Sequence, residues 1–215
     1  GWIDAETKAI VPAIHPATTS LRDPDNQYRR GYGYGRPDNA TVRHAEGVLT
    51  TLEGGAHSLL FGSGMAAATT AFLALERPAH VIAPKVMYWA LKQWLAEDAP
   101  SHGISTTFVD GAAVEAFAGA IQPGRTRLIW LETPANPLWT ISDIAAAAKL
   151  AHGAGALLAV DSTAATPVLT RPLAHGADIV MHAATKFLNG HSDVLAGTLT
   201  FARADASYER AVRVR

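Results

Sequence analysis

The stretch that decides the fold is "ALLAVDSTAATPVLTRPLAHGADIVMHAATKFLNGHSD", residues 156–193. It contains two short apolar runs, "ALLAV" and "ADIVM", and each is followed by polar residues. Runs of this length and composition are typical of strands that are buried on both faces, as in a parallel sheet. Asp161 directly follows the first run, and Lys186 comes shortly after the second. The stretch therefore predicts two neighbouring strands with a chemically useful residue beyond the end of each.

The same alternation of strand and helix patterns extends on both sides of this stretch. Further strands are predicted at "HSLLF", "HVIAP", "ISTTFVD", "TRLIWLE" and "LAGTLTF", and helices at "NATVRHAEGVLTTLE", "GMAAATTAFLALE", "MYWALKQWLAED", "AAVEAFAGAI" and "SDIAAAAKLAHGAG". This order predicts an α/β fold with a mostly parallel sheet flanked by helices. Residues 41–215 would form this domain, and residues 1–40, which show no sustained period, would form an arm that packs on a neighbouring subunit.

Composition excludes several classes of function. The chain has 215 residues, 48% of them hydrophobic, and a net charge of −1, which gives no general attraction to nucleic acid or to anionic membranes. Cysteine is absent, which excludes thiol catalysis, disulfides and cysteine metal sites. The longest apolar region, from Ile144 to Val160, is interrupted by Lys149 and His152 and predicts no membrane span. No signal-peptide pattern begins the chain, so a cytoplasmic location is expected.

Ligands of such sheets bind beyond the carboxyl ends of the strands, so the residues at those positions are the candidates for chemistry. Gly62, Ser63 and Gly64 connect a strand to a helix, and a helix N-terminus can bind phosphate, although a tight turn without a ligand explains the glycines equally well. Asp161 could cap a turn, and Lys186 could extend to solvent. Burial of the lysine would instead favour its neutral amine, which reacts with carbonyl groups.

One cofactor, pyridoxal phosphate, would use all of these features together. It needs a lysine for its aldehyde, a carboxylate for its ring nitrogen, a phosphate site and an aromatic ring to stack on. Tyr88 follows a predicted strand and could supply the ring. The residues alone thus favour a pyridoxal-phosphate site formed by Lys186, Asp161, Tyr88 and the glycine turn.

Several longer stretches make this interpretation specific. They are "YGYGRPDNAT", "LEGGAHSLLFGSGMAA", "WLETPANPLWTISDI" and the stretch from Ala159 to Gly197 that includes "ATKFLNGHSD". In order and over nearly the whole chain, they resemble the Cys/Met-metabolism family of pyridoxal-phosphate enzymes. That family includes cystathionine γ-synthase, cystathionine β- and γ-lyases, methionine γ-lyase and O-acylhomoserine sulfhydrylases. The resemblance implies the large domain of a fold-type I, aspartate-aminotransferase-like enzyme.

The resemblance also implies roles at the ring of the cofactor. Lys186 matches the lysine that carries the cofactor and later removes a proton from the substrate. Asp161 matches the partner of the ring nitrogen, and Tyr88 matches the tyrosine that stacks on the ring and assists proton transfer. Asn136, in "PANP", matches an asparagine near the cofactor's hydroxyl group.

At the phosphate, the resemblance implies two backbone donors, Gly64 and Met65, and the hydroxyl of Thr185. The family usually has a serine at the position of Ala183, which donates a further hydrogen bond to the phosphate. This chain lacks that donor, at a cost of about 1 kcal/mol where no water replaces it.

The N-terminal arm is expected to complete the site of a second subunit. Tyr34 and Arg36 match residues that cross a dimer interface to the neighbour's phosphate, and Tyr34 is a second candidate for proton transfer. Arginine suits this role because its guanidinium binds phosphate through two parallel hydrogen bonds. The resemblance therefore implies at least a homodimer, and a homotetramer as in the family.

The implied activity is elimination or replacement at Cβ or Cγ of a sulfur amino acid or an O-acylhomoserine, with cystathionine γ-synthase-like transsulfuration as the leading expectation. Cystathionine β- or γ-lyase and methionine γ-lyase are the alternatives. The family has a C-terminal domain that binds the substrate carboxylate, and this chain stops at Arg215. A fragment is favoured over a separate C-terminal polypeptide or a non-catalytic, cofactor-binding half-subunit. His182, His191 and Asp193 have no tight metal-ligand spacing, and no metal site is expected.

Overall fold

The computed structural model describes residues 3–215, so that residues 1 and 2 of the predicted arm lie outside the described part. The chain divides into two compact units, Gly1–Leu49 and Thr50–Arg215. Helix α1 (Ala40–Glu53) begins where the arm was predicted to end, and the division between the units falls within this helix.

All seven predicted strands and all five predicted helices are present, with two further helices and two 3₁₀ turns. The strands are β1 (His57–Phe61), β2 (Ala79–Pro84), β3 (Ile104–Val109), β4 (Thr126–Glu132), β5 (Leu157–Asp161), β6 (Ile179–His182) and β7 (Gly197–Phe201). The remaining helices are α2 (Gly64–Leu73), α3 (Trp89–Glu97), α4 (Val114–Ala120), α5 (Ile144–Gly153), α6 (Thr166–Leu169) and α7 (Ala206–Val214). The 3₁₀ turns span Ala99–His102 and Pro172–His175.

The strands form one sheet in the order β1-β7-β6-β5-β4-β2-β3. The five strands from β6 to β3 are parallel, whereas β7 is antiparallel to both β6 and β1. The prediction of a mostly parallel sheet with flanking helices is therefore confirmed. The parallel arrangement brings the carboxyl ends of β2, β4, β5 and β6 to one edge of the sheet, where the candidate residues are found.

The sheet is buried on both faces, as its apolar strands predict. Along β4, Trp130 packs into one core cluster, and its neighbours Ile129 and Leu131 pack into the other. This alternation follows from the two-residue period of a strand. Hydrophobic packing on both faces holds the strand ends in fixed positions, and it supplies the rigid support that a site at those ends requires.

In the unit Gly1–Leu49, the residues before α1 are mostly extended chain and turns. Thr19 pairs with Tyr34 as an isolated antiparallel bridge, and Gly35 donates its N–H to the carbonyl of Thr18 at 2.7 Å. The arm therefore turns back on itself, although the sequence predicts a simple extended segment. Its packing on a neighbouring subunit stays a prediction.

Two features are missing from the part of the chain that the structure describes. None of its helices has the length and apolar character needed to cross a bilayer. None of its groups of His, Asp and Glu has three or more members arranged to hold a metal ion.

Candidate active site

A cavity of about 830 Å³ lies in the unit Thr50–Arg215, and it brings together candidate residues from distant parts of the sequence. The predicted residues that line it are Gly64, Met65, Tyr88, Asn136, Asp161, Thr185 and Lys186. Asp161 ends β5, Gly64 and Met65 begin α2, and the others lie in the loops after β2, β4 and β6. The cavity is thus built mainly at the carboxyl ends of the parallel strands, where the fold class predicts a ligand site.

Asp161 is the last residue of β5 and is 7% exposed. Its Oδ1 accepts hydrogen bonds from the backbone N–H and the hydroxyl of Thr163, at 3.0 and 2.5 Å. Its Oδ2 has no hydrogen bond within the described residues. Burial raises the pKa of Asp161, and the two bonds from Thr163 partly oppose this effect. A cationic donor in the cavity would therefore find a desolvated carboxylate with one oxygen available.

Glu132 ends β4 and lies beside Asp161, because the two residues are register partners in the parallel pair. Its Oε2 accepts the N–H of Tyr88 at 2.7 Å, and its Oε1 accepts the N–H of Asn136 at 2.8 Å. Burial, followed by the charge of Asp161, raises the pKa of Glu132 to about 7. As an acid at the end of the buried strand "TRLIWLE", Glu132 gives the same sequence signal as Asp161, and the sequence favours a structural role for it.

Lys186 lies in the turns after β6, where its N–H donates to the carbonyl of Ala183 at 3.0 Å. Its side chain lines the cavity and is exposed in the isolated chain. The sequence left open whether Lys186 is buried or extends to solvent. In the isolated chain its side chain is exposed, because the apolar run before Lys186 is buried in β6 and the lysine lies beyond it.

Helix α2 begins at the cavity wall. Ser63 caps the helix by accepting the N–H of Ala66 at 3.0 Å, and the N–H groups of Gly64 and Met65 precede the first intrahelical hydrogen bonds. A Cβ at Gly64 would lie 2.7 Å from that of Ala183. Ala183, the position where the family usually has a serine, therefore directly adjoins the predicted phosphate site.

The hydroxyl of Thr185 is already occupied in this structure. It donates to the carbonyl of Ala196 at 3.1 Å and accepts the N–H of the same residue at 3.0 Å. These bonds join the loop of Lys186 to the start of β7. The predicted hydrogen bond from Thr185 to a phosphate therefore requires the hydroxyl to exchange its bond with Ala196, because a hydroxyl has only one proton to donate.

Tyr34 and Arg36 belong to the other compact unit, Gly1–Leu49. Both side chains are exposed, and the guanidinium of Arg36 lies 5.4 Å from the centre of the Tyr34 ring. This stacking brings a cation and a phenol together on the arm. Their contact with the phosphate of a second subunit stays a prediction.

The residues around the cavity fit pyridoxal phosphate. The unpaired oxygen of Asp161 suits the protonated ring nitrogen, the first turn of α2 suits the phosphate, and Lys186 supplies an amine in the same cavity. An α/β domain with this set of groups defines the class of the fold-type I pyridoxal-phosphate enzymes.

Comparison with known proteins identifies the family within this class. The model of the Cys/Met metabolism PLP-dependent enzymes matches residues 3–214. A probable cystathionine γ-synthase of Herpetosiphon aurantiacus is 40% identical over 94% of the chain, and the cystathionine β-lyase MetC of Bacillus subtilis is 41% identical over 90%. The crystal structure of metB from Corynebacterium glutamicum covers the whole chain with a TM-score of 0.93 and 35% identity.

The chain belongs to the Cys/Met metabolism family of pyridoxal-phosphate-dependent enzymes, and pyridoxal 5'-phosphate is the cofactor of that family. It spans 62% and 49% of the length of the two curated relatives above, and 56% of the solved structure. The matched part includes every candidate residue of the cavity.

Proposed function

We propose that this chain is the cofactor-binding part of a pyridoxal-phosphate enzyme of transsulfuration, which eliminates or replaces a group at Cβ or Cγ of a sulfur amino acid or an O-acylhomoserine. The observation that carries the proposal is the single cavity that contains Lys186, Asp161, Tyr88 and the first turn of α2. Each group has the chemistry that one part of the cofactor needs.

The residues would divide the work as follows. Gly64 and Met65 donate backbone N–H groups to the phosphate, and Asp161 accepts a hydrogen bond from the protonated ring nitrogen and stabilises its positive charge. When bound, the cofactor stabilises the negative charge that develops on the substrate carbon next to the amine. Lys186 removes the proton from that carbon, and Tyr88 delivers a proton to the leaving group. Asn136 hydrogen-bonds the hydroxyl side of the cofactor.

A cystathionine γ-synthase-like reaction is our first candidate, since relatives with that name are about as similar to the chain as any of those compared. Cystathionine β- and γ-lyases are similar to nearly the same degree and supply the alternative, with methionine γ-lyase as a further candidate. A panel of cystathionine, O-acylhomoserine with cysteine, and methionine, given to the full-length protein, separates them. Net synthesis of cystathionine supports the first candidate, and release of a keto acid and ammonia supports a lyase.

The second class of function is a non-catalytic half-subunit that binds the cofactor or assembles with a catalytic chain. The chain spans about half the length of the curated relatives that it matches. Native purification followed by mass measurement distinguishes the two. A single longer parent polypeptide supports the enzyme, and a stable complex of this chain with a separate C-terminal half supports the alternative.

Lys186 is tested directly by borohydride reduction of the holoprotein, followed by peptide mass analysis. The pyridoxyl label is expected on Lys186. A label on any other lysine of the protein, or on none, would contradict the assignment.

We also propose that the enzyme is at least a homodimer and forms a homotetramer in the cytoplasm. Tyr34 and Arg36 of each arm then lie at the phosphate of a neighbouring subunit. Arg36→Ala is then expected to weaken cofactor binding by about tenfold or more, because it removes a charged phosphate contact. Arg30→Ala, on the same arm, is the control. Equal cofactor affinity in the two variants would exclude the shared site.

A further inference from the structure

The carboxylate of Glu132 connects two separate loops of the candidate site. The loop after β2 supplies the N–H of Tyr88, and the loop after β4 supplies the N–H of Asn136, at 2.7 and 2.8 Å from the two carboxylate oxygens. Glu132 itself is 6% exposed and is fixed at the end of a central strand. One buried side chain thus determines the main-chain position of two residues that line the cavity.

The hydrogen bond to Glu132 fixes the N–H of Tyr88, while the carbonyl of Tyr88 accepts the N–H of Lys92 at 3.1 Å. Tyr88 precedes α3 as its N-cap residue, and no side-chain hydrogen bond caps that helix. The N–H of Tyr88 lies outside the helix and is bonded to Glu132. The main chain at Tyr88, from which the ring projects, is therefore tied to the carboxylate at the end of β4.

A carboxylate suits this arrangement best, because the ionised group is acceptor-only and has no proton on either oxygen to oppose a backbone N–H. A protonated acid has one oxygen that donates, and an amide has a donor NH₂ group in the same place. Either change would oppose one of the two backbone N–H groups. Hydrogen bonds to an ionised acceptor are also stronger than those to a neutral one.

We propose that Glu132 is a positioning residue whose ionised carboxylate holds the main chain of both Tyr88 and Asn136 in place for the cofactor. This inference rests on the proposed function for the meaning of the cavity, but the two hydrogen bonds are independent of it. Asp161, Lys186 and Tyr88 are the titratable groups that line the cavity with Glu132, and His182 is on β6, which lies beyond β5 from the strand of Glu132. Of these, Asp161 opposes ionisation of Glu132 most directly, since burial and then the Asp161 charge raise the pKa of Glu132.

The test is residue-resolved amide hydrogen exchange on the full-length protein, together with cofactor titration. Glu132→Gln keeps the size of the side chain and is expected to accelerate exchange at Tyr88 or Asn136 by about tenfold or more, and to weaken pyridoxal-phosphate binding by a similar factor. Exchange within β4, at Leu128 to Leu131, is expected to stay unchanged. Unchanged exchange at both Tyr88 and Asn136 would overturn the proposal.

Asp178→Asn is the matched control. Asp178 is also a buried carboxylate that accepts a backbone N–H, from Leu158 at 2.9 Å, but it precedes β6 at the opposite end of the strand. This variant is expected to lose stability without faster local exchange at Tyr88 and Asn136. If it accelerates exchange at these two residues as much as Glu132→Gln does, the effect is general destabilisation and the proposal is wrong.

The unsubstituted protein provides a second measurement in case Glu132→Gln does not fold. After correction for the intrinsic rate and for the fall in global stability, which exchange at Leu128 to Leu131 in β4 reports, protection of Tyr88 and Asn136 without cofactor is expected to be greater at about pH 8 than at about pH 6. At the lower pH, Glu132 is largely protonated because its pKa is raised to about 7. Equal protection at the two pH values would overturn the proposal. The unsubstituted protein could also lose protection at Tyr88 and Asn136 at the lower pH and yet fail to bind pyridoxal phosphate. That result would support the positioning role of Glu132 and contradict the proposed function.

Discussion

Glu132 and Asp161 end neighbouring parallel strands as register partners, so that two buried carboxyl groups lie side by side at the floor of the cavity. Burial raises the pKa of both, to about 7 for Glu132, and the charge of Asp161 adds to the shift at Glu132. Their other surroundings differ. Glu132 is held between two backbone N–H groups, whereas Asp161 keeps one oxygen without a partner within the described residues. This difference suits one acid to position loops and the other to bind a cation.

The pair predicts a pH dependence of stability in the cofactor-free protein. Since the folded-state pKa of Glu132 lies above its unfolded value of 4.5, the folded protein retains a proton that the unfolded chain releases. The stabilising contribution is complete below the unfolded value and is lost as the pH rises through about 7. We expect the free energy of unfolding to fall between about pH 5 and pH 8, with Glu132 contributing on the order of 2 kcal/mol.

Urea denaturation over this pH range is the measurement, and Glu132→Gln is the comparison because glutamine does not titrate. The stability difference between the two proteins is expected to change in favour of Glu132→Gln as the pH rises. A constant difference from about pH 5 to pH 8 would show that Glu132 does not carry the raised pKa.

Asp161→Asn is expected to separate stability from cofactor binding. The amide oxygen can accept both hydrogen bonds from Thr163, and the variant removes a buried charge, so the free energy of unfolding of the cofactor-free protein should stay equal or rise by up to about 1 kcal/mol. Affinity for pyridoxal phosphate should fall by about tenfold or more, because a neutral amide cannot stabilise the ring cation. Urea denaturation and fluorescence titration measure the two effects. Weakened folding together with unchanged affinity would mean that Asp161 is a structural turn residue, the alternative that its sequence context left open.

The sequence was most informative where the chain repeats a simple physical pattern. The apolar runs of β4 to β6 have the length of buried strands, and parallel pairing then brings Asp161 and Lys186 to one edge. The antiparallel position of β7 between β6 and β1 was not predictable, because strand order depends on contacts between distant segments. Short segments such as α6 were missed since one turn of helix has no measurable period.

Within the site, residue identity could be predicted better than environment. The motifs indicated Lys186 and Thr185, but the exposure of the lysine and the bonds from the threonine to Ala196 arise from the turns between β6 and β7. A structural role for Glu132 could be predicted but its partners could not, because the hydrogen-bond donors of Tyr88 and Asn136 are backbone groups. Every residue except proline has a backbone N–H, so residue type does not show which backbone groups bind a carboxylate.

Ala183→Ser tests the missing phosphate donor. Ala183 lines the cavity and adjoins Gly64, so a hydroxyl there would lie beside the first turn of α2. We expect affinity for pyridoxal phosphate to increase by about threefold to tenfold, which corresponds to one added hydrogen bond. Affinity for pyridoxal, which lacks the phosphate, should not change. Ala184→Ser, at the next and more deeply buried position, is the control and should give no gain. An equal gain for pyridoxal, or none for pyridoxal phosphate, would place the phosphate elsewhere.

Gly197→Ala tests whether the start of β7 fixes the first turn of α2. A Cβ at Gly197 would lie 2.1 Å from the carbonyl oxygen of Ser63 and 2.8 Å from Cα of Gly64, and both are main-chain atoms that cannot rotate away. The N-terminus of α2 must therefore move away from β7. We expect the free energy of unfolding to fall by at least about 2 kcal/mol, since overpacking against backbone cannot be relieved by a rotamer change.

The same displacement should weaken binding of pyridoxal phosphate more than binding of pyridoxal, because the phosphate is the group that meets α2. Gly119→Ala is the control. Gly119 lies in α4 with nothing within 4 Å of the added Cβ, and the substitution should be neutral or stabilising by up to about 1 kcal/mol. Urea denaturation and paired titrations of the two variants give the answer. If Gly197→Ala is destabilised but binds both ligands with the same relative affinity as the unsubstituted protein, then β7 supports the fold without setting the phosphate site.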